Sequence, residues 1–370
     1  MRDDEQPETA RACPACRRRS RLLSLLSARL DYCALKQGRL AEALALDDDT
    51  LMDAMGGGRR AALRAAYAQF DPAERACGPG HQAVCRHDGT YPPLLPHPDG
   101  PAMLFVAGGV DRLAALARAP VVAIVGAVRA SDYGIEMARA IARGLAASGV
   151  TVTSSLRDGI GAGAQAGALE AGGGTVAVLG GGLDLACQAH RRSLLARTLE
   201  SGCAVSELPC GCSGRRWAGI AAERITAGLA EITVLVESDS ELTTSVEVAQ
   251  ALDRAVAAVP GRVTSRLSIG PHALLSAGAP LVRGAEDVLE LLGDRHDLTP
   301  DRRASRTPQA RRELSARLTA VLELVGSGSD TPDELEEHVS DPGDVLLALS
   351  ELELMGLLAR GDGGRYLPRE

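Results

Sequence analysis

Between residues 119 and 293 the chain alternates short apolar runs with longer amphipathic stretches. The runs lie at 121–125, 150–153, 175–179, 203–206, 232–236, 256–259 and 281–282. Runs of Val, Ile, Leu and Ala without polar alternation predict strands buried on both faces, and the helical stretches between them predict βαβ units. The expected core is α/β, an extended Rossmann-like doubly wound parallel sheet. Residues 13–76 read as short helices instead: Leu22, Leu23, Leu25, Leu26 and Leu30 recur at helical spacing, and Gly56-Gly57-Gly58 interrupts the pattern.

The proline-rich stretch 91–101 suits an extended connector. Segment 294–312 is polar and arginine-rich, as a solvated linker is. Beyond it, apolar periodicity over 314–325 predicts one helix. Thr331-Pro332-Asp333-Glu334 supplies a second with an N-cap, a first-turn proline and a capping-box glutamate. A third helix over 342–355 and a hairpin through 361–364 complete the pattern of a winged helix. The expected domains are an N-terminal helical one of SAM or helix-hairpin-helix kind (1–80), the Rossmann-like core (81–293), the linker (294–312) and the winged helix (313–370).

Composition narrows the function classes. The 370 residues carry a formal net charge of −8, with 45% hydrophobic but 2% aromatic residues. No run approaches the roughly 18 apolar residues of a membrane helix, and residues 1–9 are acidic and polar, unlike a secretory signal, so a cytoplasmic protein without membrane contact is expected. Nine cysteines in such a compartment are expected as reduced thiols. With so few aromatics, a stacking platform for bases would be thin, and any nucleic-acid contact must rest on arginine, Lys36 being the only lysine.

Three glycine-rich elements follow predicted strands. In the first, Gly126-Ala127-Val128-Arg129-Ala130-Ser131 links a strand to a helix. Backbone N–H groups and a positive helix end there would suit a phosphate, unless the segment is only a tight turn. The second, Ser154-Ser155-Leu156-Arg157-Asp158-Gly159, precedes Gly161-x-Gly163, but Ala166 holds the third glycine position of a dinucleotide fingerprint and no acidic residue ends the next strand. Two serines and Arg157 suit a phosphate better. The third is Gly180-Gly181-Gly182. Together they would line one crevice at the sheet's carboxyl edge, with Arg215, Arg216 and Arg224 supplying further phosphate contacts and Trp217 either stacking on a base or filling core.

No nucleophile–base constellation appears around His190 or His272, and no cofactor is expected. Cys13-Pro14-Ala15-Cys16 has metal-ligand spacing, but its candidate complement of Cys77, His81, Cys85 and His87 fits no standard zinc pattern, so no metal is expected. The third C-terminal helix contains no Arg or Lys, which suits protein contact rather than reading a DNA groove.

The order of these pieces resembles the DNA-processing protein A (DprA/Smf) family over nearly the whole chain. The resemblance is carried by Cys13-Pro14-Ala15-Cys16, Tyr91-Pro92-Pro93-Leu94-Leu95, Val125-Gly126 with Arg129-Ala130-Ser131, Gly159-Ile160, Gly167-Ala168-Leu169-Glu170-Ala171-Gly172, Gly180-x-Gly182-Leu183-Asp184, Ser206-Glu207-x-Pro209, Arg224-Ile225 and Val259-Pro260-Gly261. It implies a non-enzymatic, dimeric protein that binds single-stranded DNA and assists RecA loading in natural transformation and recombination. The residues implied are Gly126, Arg129, Ser131, Ser154, Ser155, Arg157, Gly159, Gly180, Arg215, Arg216 and Arg224. Departures from the family pattern cluster there. Ala127-Val128 replace a serine and an arginine, Asp158 replaces an arginine, Gln165 a histidine and His272 an asparagine. Cys187, Gln188 and Arg191 also depart, and 219–224 keeps only its last arginine. A partly degraded DNA site is expected, against the alternatives of a nucleotide sensor on the same fold or a scaffold acting through dimerisation and its C-terminal helices.

Overall fold

The structure, a computed structural model, describes residues 11–34, 39–71, 80–95, 100–184, 191–212, 215–293, 316–327, 331–336, 342–354, 357–360 and 366–368. Residues 1–9, 96–99, 294–312 and 361–364, with Cys77, Cys187, Gln188 and His190, lie outside the described residues. Two compact units divide the chain, Met1–Ser305 and Arg306–Glu370.

The first unit begins with five helices: α1 (Pro14–Leu25), α2 (Ser27–Tyr32), α3 (Leu40–Ala45), α4 (Asp48–Gly56) and α5 (Arg60–Gln69). Pro14 opens α1, where its missing N–H costs nothing, and Asp47 caps α4 by accepting from Thr50 N at 2.9 Å. The leucines read at helical spacing, Leu22, Leu23, Leu26 and Leu30, are buried, and the cluster they form includes Trp217, Ala218 and Ala221 of the α/β part. Each such leucine contributes roughly 1.5–3 kcal/mol on burial, so these helices and the α/β layer share one core.

The remaining elements of this unit are β1 (His81–Cys85), β2 (Met103–Ala107), α6 (Val110–Leu116), β3 (Val121–Val125), α7 (Asp132–Ala147), β4 (Thr151–Ser155), α8 (Ile160–Glu170), β5 (Thr175–Val178), α9 (Arg192–Ser201) and β6 (Cys203–Ser206). They continue through α10 (Arg216–Leu229), β7 (Ile232–Leu235), α11 (Thr244–Ala251), β8 (Ala255–Ala258), α12 (Ile269–Ser276) and α13 (Ala285–Gly293). The eight strands form one sheet in the order β1-β2-β6-β5-β4-β3-β7-β8. Strands β3 to β8 are mutually parallel, as their apolar runs predict, and largely buried, β8 fully so only in its last two residues.

Two features differ from the sequence expectation. The sheet carries an antiparallel edge, β2 against β6 and β1 against β2, so it is mostly rather than wholly parallel. The 281–282 run makes only an isolated bridge, Leu281 to Ala258, because two residues are too few for a ladder. Arg254 fixes the connector of residues 91–95: its guanidinium donates to the carbonyls of Ala227, Gly228 and Ala230 at the end of α10, and to that of Leu94.

The chain leaves β3 and steps outward through β4, β5 and β6, then returns to the other side of β3 with β7 and β8. That reversal opens a crevice at the strands' carboxyl ends, where open α/β sheets hold ligands. Helix α8 lies close against α7 because Gly163 and Gly167 face the carbonyls of Ile135 and Arg139, leaving no room for a side chain.

The second unit contains α14 (Ala316–Ser327), α15 (Pro332–Glu336), α16 (Pro342–Leu354) and an antiparallel pair, β9 (Leu358–Arg360) with β10 (Tyr366–Pro368). Leu318, Val321, Leu335, Val345, Leu349, Leu358 and Tyr366 form its own core.

Candidate functional site

The carboxyl ends of β3, β4 and β5 surround a cavity of about 120 Å³, lined by Gly126, Ser155, Arg157, Gly161 and Gly180 and closed on one side by Gly219, Ala222 and Glu223 of α10. Pockets that take a whole small molecule run roughly 300–1,000 Å³. This one has room for a phosphate or a sugar, not a complete nucleotide. Its glycines are set by backbone approach. A side chain on Gly126 would stand 2.7 Å from the carbonyl of Glu237, and Gly159 adopts a left-handed φ of 80° against the carbonyls of Ala127 and Val128. Gly180 lies against the backbone of Ala218 and Gly219, which brings α10 to the rim.

The sequence marks the start of α7 as a phosphate seat, but the protein's own carboxylate occupies it. Ser131 caps α7, accepting from Gly134 N at 3.1 Å, and donates from its hydroxyl to Glu237 Oε1 at 2.5 Å, while its backbone N–H donates to Oε2 at 2.9 Å. Glu237 is buried, and Gly134 leaves space for its carboxylate. The start of α10 is similar: Trp217 N donates to Asp31 of α2 at 2.9 Å. Two positive helix ends are thus neutralised internally. Ser131 is a structural cap here rather than a free phosphate ligand.

The arginines separate into two groups. Arg224 is 2% exposed and donates to Glu207 Oε2 at 2.6 Å, Glu207 being buried as well. Its Nε and Nη1 find no partner among the described residues. It therefore does not reach the cleft surface, contrary to the sequence expectation, because the carboxylate that ends β6 draws it into the core. Arg157 is exposed in the cavity wall, Arg129 is exposed next to the lining residue Val128, and Arg215 and Arg216 are exposed at the start of α10, ahead of its lining residue Gly219. Arg157 stands 3.9 Å from Glu223, and burial pushes the Glu223 carboxyl above its ordinary range, with Arg157 and a hydrogen bond from Thr244 opposing. Asp158, in a position of an expected cation, makes a bidentate pair with Arg191 at 2.9 and 2.6 Å. The charged lining of the cleft is balanced, Arg157 and Arg191 against Asp158 and Glu223.

Other expected contacts serve the fold. Ser154 donates its hydroxyl to the Ile124 carbonyl at 2.6 Å, tying β4 to β3, whereas Ser155 stays on the cleft wall and accepts from Arg157 N at 3.3 Å. Gln165 is buried, donates to the carbonyls of Ser154 and Val176, and accepts from Thr175. His272 bonds through Nε2 to the Gly261 carbonyl at 3.0 Å. Trp217 is fully buried with its indole N–H on Ser27, so it fills core and does not stack on a base. Away from the cleft, Cys13, Cys16, Cys85 and His87 converge, with all four potential ligand atoms within 4.8 Å of one another. The sequence names these four among its candidates but sets them aside on spacing, because the second pair, Cys-x-His on a turn, meets the first only through the fold; His81 instead lies 3.8 Å from Cys210.

Residues 82–293 match the family model described as DNA recombination-mediator protein A. The putative DNA processing protein DprA of Mycobacterium tuberculosis H37Rv is 38% identical over 245 residues, which is 65% of this chain and 62% of that protein. The chain therefore spans less than two thirds of the length of the mycobacterial relatives it matches. Protein Smf of Escherichia coli K12 is 33% identical over 293 residues, 77% of each chain. Among solved structures, DNA processing protein A from Streptococcus pneumoniae matches with a TM-score of 0.58 and 26% identity, covering 76% of this chain and 98% of that one. The single-stranded-DNA-binding DNA processing protein A from Helicobacter pylori shares the fold, with a TM-score of 0.51 and 20% identity over 60% of this chain and all of that one.

Proposed function

Given that the chain belongs to the DNA recombination-mediator protein A (DprA/Smf) family, we propose that it binds single-stranded DNA along the carboxyl edge of its sheet. The observation that carries this reading is a cleft that admits a phosphate or sugar, with exposed Arg157 in its wall and exposed Arg129, Arg215 and Arg216 on the segments that lead into its lining. Phosphates track the arginines, and Ser155 with the backbone of the Gly126, Gly159 and Gly180 loops positions the strand. The balanced charge of the lining and the loss of Arg224 and Ser131 from the contact set make this a reduced version of such a site. The protein acts without catalysis, as a cytoplasmic homodimer that helps RecA onto the bound strand in recombination and DNA uptake. Residues 1–80, 81–293, 294–312 and 313–370 serve as helical domain, core, linker and winged helix. The three helices and strand pair of the second unit support that last assignment.

A nucleotide sensor is the weaker reading, because the cavity is too small for a complete nucleotide. Fluorescence anisotropy with a labelled oligonucleotide tests the proposal. Four phosphate contacts to a single strand give a log–log salt slope of about −3, so raising salt fourfold from about 50 mM weakens binding by about fiftyfold. No binding at the lower salt, or binding indifferent to salt, would overturn it.

A further inference from the structure

The strongest feature outside the cleft is the convergence of Cys13, Cys16, Cys85 and His87. Cys13 is the N-cap of α1 and Cys16 lies in its first turn, so the Cys-Pro-Ala-Cys spacing presents two sulfurs at one helix start. Cys85 closes β1, and His87 sits on the turn that follows, held by Asp88 N donating to the Cys85 carbonyl at 2.9 Å. The two segments are registered by main chain: Arg11 bridges Val84, and Cys85 N donates to the Arg11 carbonyl at 3.0 Å.

The spacing of the imidazole from the three sulfurs is close to that around a tetrahedral ion. Around zinc with Zn–S near 2.3 Å and Zn–N near 2.05 Å, sulfur and nitrogen ligands stand about 3.6 Å apart. His87 Nδ1 lies 3.4 Å from the sulfurs of both Cys13 and Cys16 and 3.9 Å from that of Cys85. Hydrogen bonding alone does not account for three thiols gathered on one ring nitrogen, since a single nitrogen has one lone pair or one proton to share. The Cys13 N–H donates to the Cys85 sulfur at 3.4 Å, and Cys13 and Cys16 lie at the positive end of α1.

We propose that Cys13, Cys16, Cys85 and His87 bind one zinc ion as a closed, structural Cys₃His site that staples α1 to the edge strand β1. Three soft thiolates and an imidazole in tetrahedral array select zinc over the harder divalent cations, and four protein ligands leave no open position for a substrate. Cys16 and Cys85 are 4% and 2% exposed, which shields the ion from solvent on the protein side, while His87 closes the exposed side. The tie spans residues 13 to 85 and so anchors the N-terminal helices at their first turn, complementing the apolar contacts around Trp217 at their other end.

Elemental analysis of the full chain, purified without chelators and desalted into metal-free buffer, should find about one zinc per chain. Cys13→Ser, Cys85→Ser and His87→Ala should each lower that at least fivefold, whereas Cys203→Ser, altering a buried cysteine of β6, should leave it unchanged. Because a ligand variant can fail to fold, the wild-type chain stripped and reloaded with cobalt(II) gives a second reading. Intense visible d–d bands with thiolate-to-metal charge transfer report a tetrahedral site rich in sulfur. Sub-stoichiometric zinc with no such cobalt spectrum overturns the proposal. So does zinc that every ligand variant retains, or a Cys13–Cys16 disulfide found by intact mass in the freshly purified protein.

Discussion

Arg224 and Arg129 carry the same guanidinium near the same edge of the sheet, yet one is pinned in the core to Glu207 and the other is open to solvent. The difference lies in the anions nearby. Glu207 ends β6 where it can draw Arg224 inward, and Glu237 and Asp31 take the helix starts that a phosphate would otherwise use. A cationic feature beside a glycine loop becomes a ligand site only where the protein has not already supplied the counter-charge. On that basis Arg224 belongs to stability, and the exposed Arg129, Arg215 and Arg216, with Arg157 only partly offset by Glu223, are the arginines we propose for binding.

The most direct way to break this comparison is Arg224→Ala. It leaves Glu207 buried without its partner, and such losses cost about 3–5 kcal/mol. A thermal or urea melt of the variant should show that loss, and the Arg224→Ala, Glu207→Ala double variant should recover part of it, since the two residues are in contact. A variant that melts with the wild type but loses oligonucleotide binding would return Arg224 to the binding group.

Glu237→Ala comes next. It removes both acceptors on Ser131 and exposes the α7 terminus, for an expected cost of about 1–3 kcal/mol in the same melt. The neutralised helix end should also recover its attraction for anions, so a folded Glu237→Ala chain should bind oligonucleotide more tightly at low salt than the wild type. Weaker binding would mean that Glu237 orders the rim rather than competing with DNA.

The exposed group should behave in the opposite way. Arg129→Ala with Arg215→Ala should shift stability by no more than about 0.5 kcal/mol, as surface changes do. Each lost phosphate contact should flatten the salt slope by about 0.7, or about 1.4 for the pair. A double variant with an unchanged slope would place the strand elsewhere on the molecule.

How much of this was legible in the sequence follows from whether the signal was local. The parallel strands were, because a strand covered on both faces reads as an uninterrupted apolar run, as 121–125 and 232–235 do. Strand β1 was not: His81 and Gln82 lie at a half-covered sheet edge, and their polarity hides the ladder. Met103–Ala107 is five buried apolar residues and could have been found, but it follows a proline-rich connector that masks its start. At the site, Gly126 was legible as a tight turn leaving a strand, and the structure shows why only glycine fits there, since a side chain would meet the Glu237 carbonyl. What could not be read was partnership over distance: Arg224 with Glu207 and Ser131 with Glu237 are joined only by the fold, and Cys13 with Cys85, a candidate in the sequence, is set aside there because spacing alone does not show the meeting.

The smallest expected effect concerns Glu223, which divides the two groups because it faces the exposed Arg157 from a helix that also carries the buried Arg224. Burial raises its pKa, so the folded chain holds the proton more tightly than the unfolded one. Ionised Glu223 therefore costs stability as pH rises through the raised folded value, and that cost vanishes below the ordinary carboxylate value of about 4.3. For binding, lowering pH far enough to protonate Glu223 removes a negative charge from the cleft and releases Arg157 to a phosphate. Affinity should then rise by at most about fivefold, the scale of a partly exposed ion pair. Glu223→Gln should bind at pH 7 as the wild type does at the acidic end of its profile, with a correspondingly flatter pH dependence. Measuring both chains at constant ionic strength separates this from any titration common to the two. If the wild-type and Gln profiles are parallel, Glu223 does not face the bound strand, and the cleft wall formed by α10 must be removed from the DNA path.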